Sequence, residues 1–380
     1  MPSVNRLRAL LIFGTRPEAI KMAPVVQECS RRADDVETLV CLTGQHREML
    51  AQVTDYFQIG ADDNLDLMMP AQALAGLTAK CLEGIDEVLL RRRPHCVVAQ
   101  GDTTTVMAAS MASFYRHIPF VHVEAGLRTG NLDAPWPEEF NRRVADITAT
   151  LYCAPTRRAV GTLIAEGVSP DAVRVTGNTV VDALLTTLRR ERSFTNRWQQ
   201  EYAMLGSRRM ILITGHRREN FGSGFENICR AIAALADGFP DCCFVYPVHL
   251  NPSVQQPVNR ILRGRKNIYL VPPASYPEFV WLMDRSSLVL TDSGGVQEEA
   301  PTLQKPVLVM RETTERPEAV EAGAARLVGT SVETIIAGAT LLLTDADEYA
   351  ACQIERNPYG DGLAAQRIVD WMLQQNWQRT

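Results

Sequence analysis

The sequence predicts an α/β protein built from two Rossmann-like, doubly wound domains, and three observations carry that prediction. The first is a series of short β-rich runs that are apolar on both faces, as parallel strands covered by helices require. They are LRALLIF, VETLVCL, HCVVAQ and PFVHV, then RMILIT, CCFVYPV, NIYLV, SLVLT and KPVLVM. The second is the segment after each run: a polar, often glycine-bearing turn and then a helix-like stretch, the mark of βαβ units. The third is size, since 380 residues with 46% hydrophobic content exceed one ordinary core and suit two. The boundary is expected near Val175–Asp182, where Gly177 and Asn178 supply a turn before a charged helical segment and a fresh strand. The domains therefore read as 1–176 and 177–362.

Bulk properties exclude several classes. A formal net charge of −5 argues against a nucleic-acid protein, and 22% charged residues is ordinary for a soluble one. The opening MPSVNRLRALLIFGTRPE has too short an apolar run for a signal peptide or a membrane span and reads as a buried first strand. The 9 cysteines form no C-x-x-C pair, and Cys41, Cys96 and Cys153 lie inside apolar runs. They read as reduced thiols of a cytoplasmic protein, with no disulfide framework and no zinc site.

In open α/β sheets, ligands bind beyond the C-terminal ends of the strands. In chain order those ends lead into GTRPEAIK, TGQHRE, GDTTT, EAGLRTG, GHRREN, DSGGVQEE and RETTERPE. One charged turn is an ordinary solvated loop, but seven at the same end favour a shared inter-domain cleft. In the first, Pro17 suits the first helical position and Arg16 stands at a helix mouth, fit for an anion. Glu18 and Lys21, three apart, share a helical face and either pair there or serve a ligand. Asp102 and Glu124 each follow a buried strand at once. Such carboxylates are pre-positioned for proton transfer, although Asp102 also suits an N-cap. In WPEEFNRR, Glu138 and Arg142 are four apart and either pair along a helix or face the same cleft, with Glu139 and Arg143 beside them.

His216, among Arg217, Arg218 and Glu219, is placed to face an anion; His249 in YPVHLNP has a similar location with less charge. His122 alternates with Val121 and Val123 and is expected to be satisfied inside the sheet. Ser293, Gly294 and Gly295 form a turn at the mouth of a helix, where unpaired N–H groups and the dipole favour phosphate. Glu298 and Glu299 follow within two turns, at the distance of a ribose diol. The P-loop pattern is absent, and Gly222 and Gly224 lack the continuation of a dinucleotide fingerprint.

Together FGTRPEAIKMAP, TGQHREML, GDTTT, HVEAGLRTG, PWPEEFNR, TGHRREN, YPVHLNP, TDSGGVQEEAP and RETTERPEA resemble the non-hydrolysing bacterial UDP-N-acetylglucosamine 2-epimerases, from about Leu10 to NPYGDG at 357–362. The resemblance implies a glycosyltransferase-B-like fold, with a helix at 363–380 crossing back to the first domain and the second domain binding nucleotide. It implies interconversion of UDP-GlcNAc and UDP-ManNAc in a cytoplasmic homodimer, feeding surface polysaccharide synthesis, with no bound redox cofactor and no essential metal. Matched position by position, it assigns catalysis to Asp102, Glu124, Glu138, Arg142 and His216. It assigns substrate and nucleotide contacts to Arg16, Lys21, Phe279, Ser293, Gly294, Gly295, Glu299 and Arg316. A second, activating UDP-GlcNAc matches Gln45, His46, Gln72, Arg217 and His249. The chain departs from the family at Pro70-Ala71-Gln72, where P-G-Q is frequent, and at Ala274, where relatives can place a glutamine against the nucleotide.

The implied chemistry makes sense of these residues. The proton on carbon 2 is not beside a carbonyl, so UDP must leave first; the oxocarbenium-like centre then acidifies that proton, and 2-acetamidoglucal results. Arg16, the Ser-Gly-Gly turn and a protonated His216 would hold the departing diphosphate, and Asp102, Glu124 and Glu138 are the acid–base pool. A hydrolysing epimerase, a retaining glycosyltransferase of the same fold and a non-catalytic nucleotide-sugar sensor remain as alternatives.

Overall fold

The structure, a computed structural model, describes residues 6–44, 47–67, 72–194 and 196–377. The chain divides into two compact units, one made of residues up to Ala183 and again from Tyr359, the other of Leu184–Pro358.

The first unit holds strands β1 (Leu7–Phe13), β2 (Val36–Leu42), β3 (Asp63–Asn64), β4 (Cys96–Gln100), β5 (Phe120–Val123), β6 (Leu151–Ala154) and β7 (Val173–Val175). Its helices are α1 (Arg16–Arg31), α2 (Arg47–Phe57), α3 (Leu74–Arg92), α4 (Thr104–Tyr115), α5 (Glu138–Thr148), α6 (Arg157–Ala165) and the start of α7 (Thr179–Ser193). The second unit takes up the rest of α7 and adds α8 (Asn196–Glu201), β8 (Arg209–Thr214), α9 (Ser223–Gly238), β9 (Cys242–Pro247), α10 (Pro252–Leu262), β10 (Ile268–Val271) and α11 (Tyr276–Arg285). It continues through β11 (Leu288–Thr291), α12 (Gly294–Glu299), β12 (Val307–Val309), α13 (Pro317–Glu321), β13 (Ala325–Leu327), α14 (Val332–Thr344) and α15 (Ala346–Ala351). The last helix, α16 (Ala364–Leu373), belongs to the first unit.

Both sheets are parallel throughout, ordered β3-β2-β1-β4-β5-β6-β7 and β10-β9-β8-β11-β12-β13. All nine expected runs form strands; β3, β6, β7 and β13 are additions of two to four residues at or towards the sheet edges. Central strands are wholly buried, as in the Leu10–Ile12–Val97–Ala99 core of the first unit and the Ile211–Phe244–Leu290–Leu308 core of the second. In each sheet the strand order reverses once beside the first-laid strand: between β1 and β4, and between β8 and β11. A crevice opens beyond such a switch point, which makes the ends of those four strands the places to look for ligand groups.

The first unit runs past the expected break at residue 176 and regains the chain just before residue 363. The reason is local. The Asn178 N–H donates to the Tyr359 carbonyl at 2.6 Å, and the Asp182 carboxylate accepts the Ala364 and Ala365 N–H groups at 3.2 and 2.9 Å. Asp182 therefore caps α16. Burial pushes its pKa up to about 6, against the pull of those two N–H bonds.

One buried polar group ties the first sheet to its helices. The His122 ring lies between Asp146 Oδ1, 2.6 Å from Nδ1, and the Gly101 carbonyl, 2.7 Å from Nε2. Asp146 also takes Arg128 Nη1 at 2.8 Å and the Gly126 N–H at 3.2 Å. Both ring nitrogens thus face acceptors, which requires the imidazolium. Burial works against that charge, but Asp146 and the Gly101 carbonyl outweigh it and the pKa is raised above 6.5. A raised folded-state value stabilises fully below 6.5 and fades as pH climbs through the folded value. His122→Gln should therefore destabilise the protein by about 3 kcal/mol at pH 6, with a smaller deficit at pH 9. Denaturant unfolding of both proteins across that range checks it.

Candidate active site

At the end of β1 the chain turns through Gly14 and Thr15 into α1. A Cβ on Gly14 would lie 1.9 Å from Thr43 Oγ1 and 2.9 Å from Thr105 Oγ1, so packing alone demands glycine there. Thr15 caps the helix, and Glu18 closes a capping box by accepting the Gly14 and Thr15 N–H groups at 3.1 and 2.7 Å. Its other oxygen accepts the Thr103 hydroxyl at 2.7 Å, and burial raises its pKa against these bonds. Glu18 is thus a loop clamp, and of the two readings of Glu18 and Lys21 the surface pair between them does not form. Arg16 is the first helical residue and Pro17 the second.

Lys21 reaches across to Glu124, with Nζ 2.8 and 2.7 Å from its two oxygens. Glu124 also accepts Gln100 Nε2 and, at 3.3 Å, Asn178 Nδ2. It is buried and its backbone sits in the left-handed region at φ 67°. For a residue with a side chain this conformation costs about 1–3 kcal/mol, a strain found where a side chain must be aimed.

Asp102 follows the neighbouring strand end, and the Gly101 N–H bonds the Val123 carbonyl at 3.0 Å, so the two acids follow residues that are tied together. The N-cap role falls to Thr103, which accepts the Val106 N–H at 3.3 Å. Asp102 is left to pair with Arg142 Nη2, while Asn141 Nδ2 holds its carbonyl at 2.9 Å. Of the two readings of Glu138 and Arg142, the helical pair does not form, because Arg142 turns toward Asp102 at the end of β4. Arg142 also stands 3.4 Å from Glu139, which is wholly buried and accepts the Thr129 and Gly130 N–H groups at 3.0 and 3.3 Å. Glu138, in the first turn of α5, is half-buried and makes no side-chain hydrogen bond among the described residues. Gln72 lies in this unit just before α3; Gln45 and His46 fall outside the described residues.

In the second unit, the ends of β8 and β11 carry the corresponding groups. Asp292 is fully buried; its Oδ2 accepts the His216 and Arg217 N–H groups at 2.8 Å each, and Asn220 Nδ2 at 3.4 Å. Ser293 is the N-cap residue of α12, and its own N–H is held by Thr291 Oγ1 at 2.9 Å. Neither Gly294 nor Gly295 has positive φ, and a Cβ on either would meet nothing closer than 3.5 Å. These glycines, unlike Gly14, are demanded neither by backbone conformation nor by packing. They leave the first-turn N–H groups open to close approach.

Arg217 and His249, matched by resemblance to activator positions, lie at this same end. Arg217 Nη2 is 3.5 Å from the Cβ position of Gly294, and the His249 ring stacks on His216 with centroids 5.5 Å apart and an 18° tilt. Desolvation lowers the pKa of His216, and Arg217 and His249 add repulsion, against the attraction of Asp292. That lowered value works against the protonated His216 expected from sequence. Further along, Glu298 pairs with Arg316 Nε, and Glu299 accepts the Tyr276 hydroxyl at 2.9 Å. Phe279 is half-buried on α11, one turn from Ala274 and the Ser275–Glu278 capping box.

Asp292, Gln100 and Asn178 bond the candidate residues or their loops, and sequence reasoning misses them. Asp292 stands inside TDSGG and Asn178 inside RVTGNT, each at an element end; Gln100 carries no signal beyond ending a strand.

Comparison with known proteins identifies the family. The family model described as UDP-N-acetylglucosamine 2-epimerase matches residues 27–373. A probable UDP-N-acetylglucosamine 2-epimerase of Ralstonia nicotianae is 53% identical over 95% of this chain and 97% of its own. The UDP-N-acetylglucosamine 2-epimerase of Escherichia coli K12 is 50% identical over 96% of this chain and 98% of its own. The crystal structure of the Neisseria meningitidis UDP-GlcNAc 2-epimerase bound to UDP-GlcNAc superposes with a TM-score of 0.93 at 45% identity, covering 97% of this chain and all of that one. With its acids at one switch point and its open helix mouth at the other, the chain belongs to the UDP-N-acetylglucosamine 2-epimerase family.

Proposed function

We infer that the chain interconverts UDP-N-acetylglucosamine and UDP-N-acetylmannosamine, the first unit supplying the proton-transfer groups and the second holding the nucleotide. The bonding pair of the anomeric C–O bond leaves with UDP, a carboxylate takes the carbon-2 proton, and 2-acetamidoglucal remains. Return of a proton to the opposite face, then of UDP, yields the epimer. The product supplies N-acetylmannosamine units for surface polysaccharides.

The observation that carries this reading is the pair Asp102 and Glu124, rooted at adjacent strand ends, each held by its own cation. Two carboxylates on rigid elements suit removal and delivery of a proton on opposite faces. Lys21 and Arg142 hold both acids in orientation, and Glu138 extends the pool. The diphosphate takes the open N–H groups after Ser293, with Arg316 adding charge and Phe279 and Glu299 serving the nucleoside, and Arg16 at its own helix mouth is suited to an anion. Gln72, Arg217 and His249, with Gln45 and His46, are the positions for a second, activating UDP-GlcNAc. The nine cysteines are buried thiols, which fits the reducing cytoplasm. Exposed Leu90, Phe114 and Tyr115, at the ends of α3 and α4, give an apolar face for a second copy in a homodimer.

Asp102→Asn and Glu124→Gln are each expected to lower kcat by about 10²–10⁴ while UDP still binds. Proton NMR of the sugar and calorimetry of UDP binding read the two effects separately, and near-normal turnover in either variant refutes its assignment. Turnover in heavy water should place one solvent deuterium on carbon 2 of the epimer, seen by mass spectrometry. Gly295→Ala should leave the unfolding midpoint unchanged or raise it, since alanine is favoured over glycine in a helix by about 0.5–1 kcal/mol. The same variant should weaken UDP binding by about tenfold or more, or about 1.4 kcal/mol. Unchanged affinity would remove the phosphate from that helix mouth.

A further inference from the structure

The buried carboxylate Asp292 has an unfinished hydrogen-bond set. Its Oδ2 is anchored by the backbone N–H groups of His216 and Arg217, so the acid is fixed relative to the very residue whose ring stands beside it. Its Oδ1 is buried and has no hydrogen-bond partner among the described residues. The ring nitrogen facing it is His216 Nδ1, at 3.7 Å. A swing of about 0.7 Å brings Nδ1 into N–H···O range. The His216 side chain is 42% exposed and has room to make that swing, and the stacked His249 ring keeps its plane.

We propose that Asp292 is the positioning residue for His216: its Oδ1 accepts the Nδ1–H, fixes the tautomer, and leaves Nε2 as the nitrogen that exchanges a proton with the bound diphosphate. This rests on the reading that His216 takes part in catalysis. When the anomeric bond breaks, the electron pair stays on the β-phosphate oxygen and the Nε2 proton moves to it; re-addition returns the proton. The charged and titratable groups around the ring are Asp292 from the β11 end, Arg217 on its own loop with Glu315 behind it, and His249 from the β9 end. Desolvation holds the ring's pKa below its usual value, which suits a group that gains its proton as the negative diphosphate arrives.

Asp292→Asn tests the assignment, because its amide oxygen can keep the two backbone bonds while its –NH₂ faces Nδ1 and forces the opposite tautomer. The expected result is a kcat lower by about 10²-fold or more with UDP affinity within about threefold of the parent, and a displaced pH profile of kcat. In the double variant with His216→Gln, turnover should be no lower than in His216→Gln alone. ¹⁵N-histidine NMR of the UDP-bound parent should show His216 protonated at Nδ1, and that of Asp292→Asn at Nε2. A parent ring protonated only at Nε2, or an Asp292→Asn enzyme with parental kcat and pH profile, overturns the proposal. Full turnover by His216→Gln would instead overturn the catalytic reading of His216, while the NMR tautomer still reports whether Asp292 holds the ring. If Asp292→Asn does not fold, the spectrum of the parent decides alone.

Discussion

A parallel sheet ends every strand in a loop whose N–H groups have lost their ladder, and here buried carboxylates take up those groups. Glu18 holds Gly14 and Thr15, Glu139 holds Thr129 and Gly130, and Asp292 holds His216 and Arg217, while Asp182 does the same for Ala364 and Ala365 at the mouth of α16. A buried charge without partners is expensive, but each of these acids is met by two backbone donors at 2.7–3.3 Å, and Glu139 by Arg143 as well. The consequence is positional. Loops that would otherwise drift are pinned to the sheet, and the side chains they carry inherit its rigidity.

The pinned loops then present acids of a different kind. Glu124 and Asp102 find cations, Lys21 and Arg142, and both remain next to exposed or polar neighbours. The distinction between clamp and proposed catalytic acid lies in the donor: backbone N–H for the first, side-chain cation or amide for the second. Glu124 adds backbone strain at φ 67°, which the Lys21, Gln100 and Asn178 bonds offset. Glu139 lies between the classes. Its bonds to Thr129 and Gly130 make it a clamp, and its pair with Arg143 places a cation beside it.

The strands were legible because burial on both faces leaves a continuous apolar run; LRALLIF, VETLVCL and RMILIT coincide with β1, β2 and β8 to the residue. Edge strands such as Val173–Val175 and Ala325–Leu327 were not, since three residues with a charged centre carry no run. In the site, strand-end acids and the Ser-Gly-Gly turn were visible as residue types at places. Their partners were not, because Lys21–Glu124 and Arg142–Asp102 join residues 103 and 40 apart along the chain. One local signal does separate structure from function: Thr15-x-x-Glu18 is a capping box in plain sequence. That pattern alone takes Glu18 out of the ligand set.

Glycines sharpen the same contrast between structure and function. Gly14 opens the first switch point and Gly294 the second, in turns that look alike in sequence. A methyl at Gly14 collides with two threonine hydroxyls, whereas one at Gly294 or Gly295 meets only ordinary contact distances. A helix beginning with two glycines forgoes about 1–2 kcal/mol relative to alanines. Neither the backbone angles nor the packing at Gly294 and Gly295 asks for that loss. A phosphate drawn to bare N–H groups at a dipole's positive end supplies an interaction of that size. The first switch point is thus closed by its own packing, while the second keeps the space at its helix mouth that the proposed phosphate site requires.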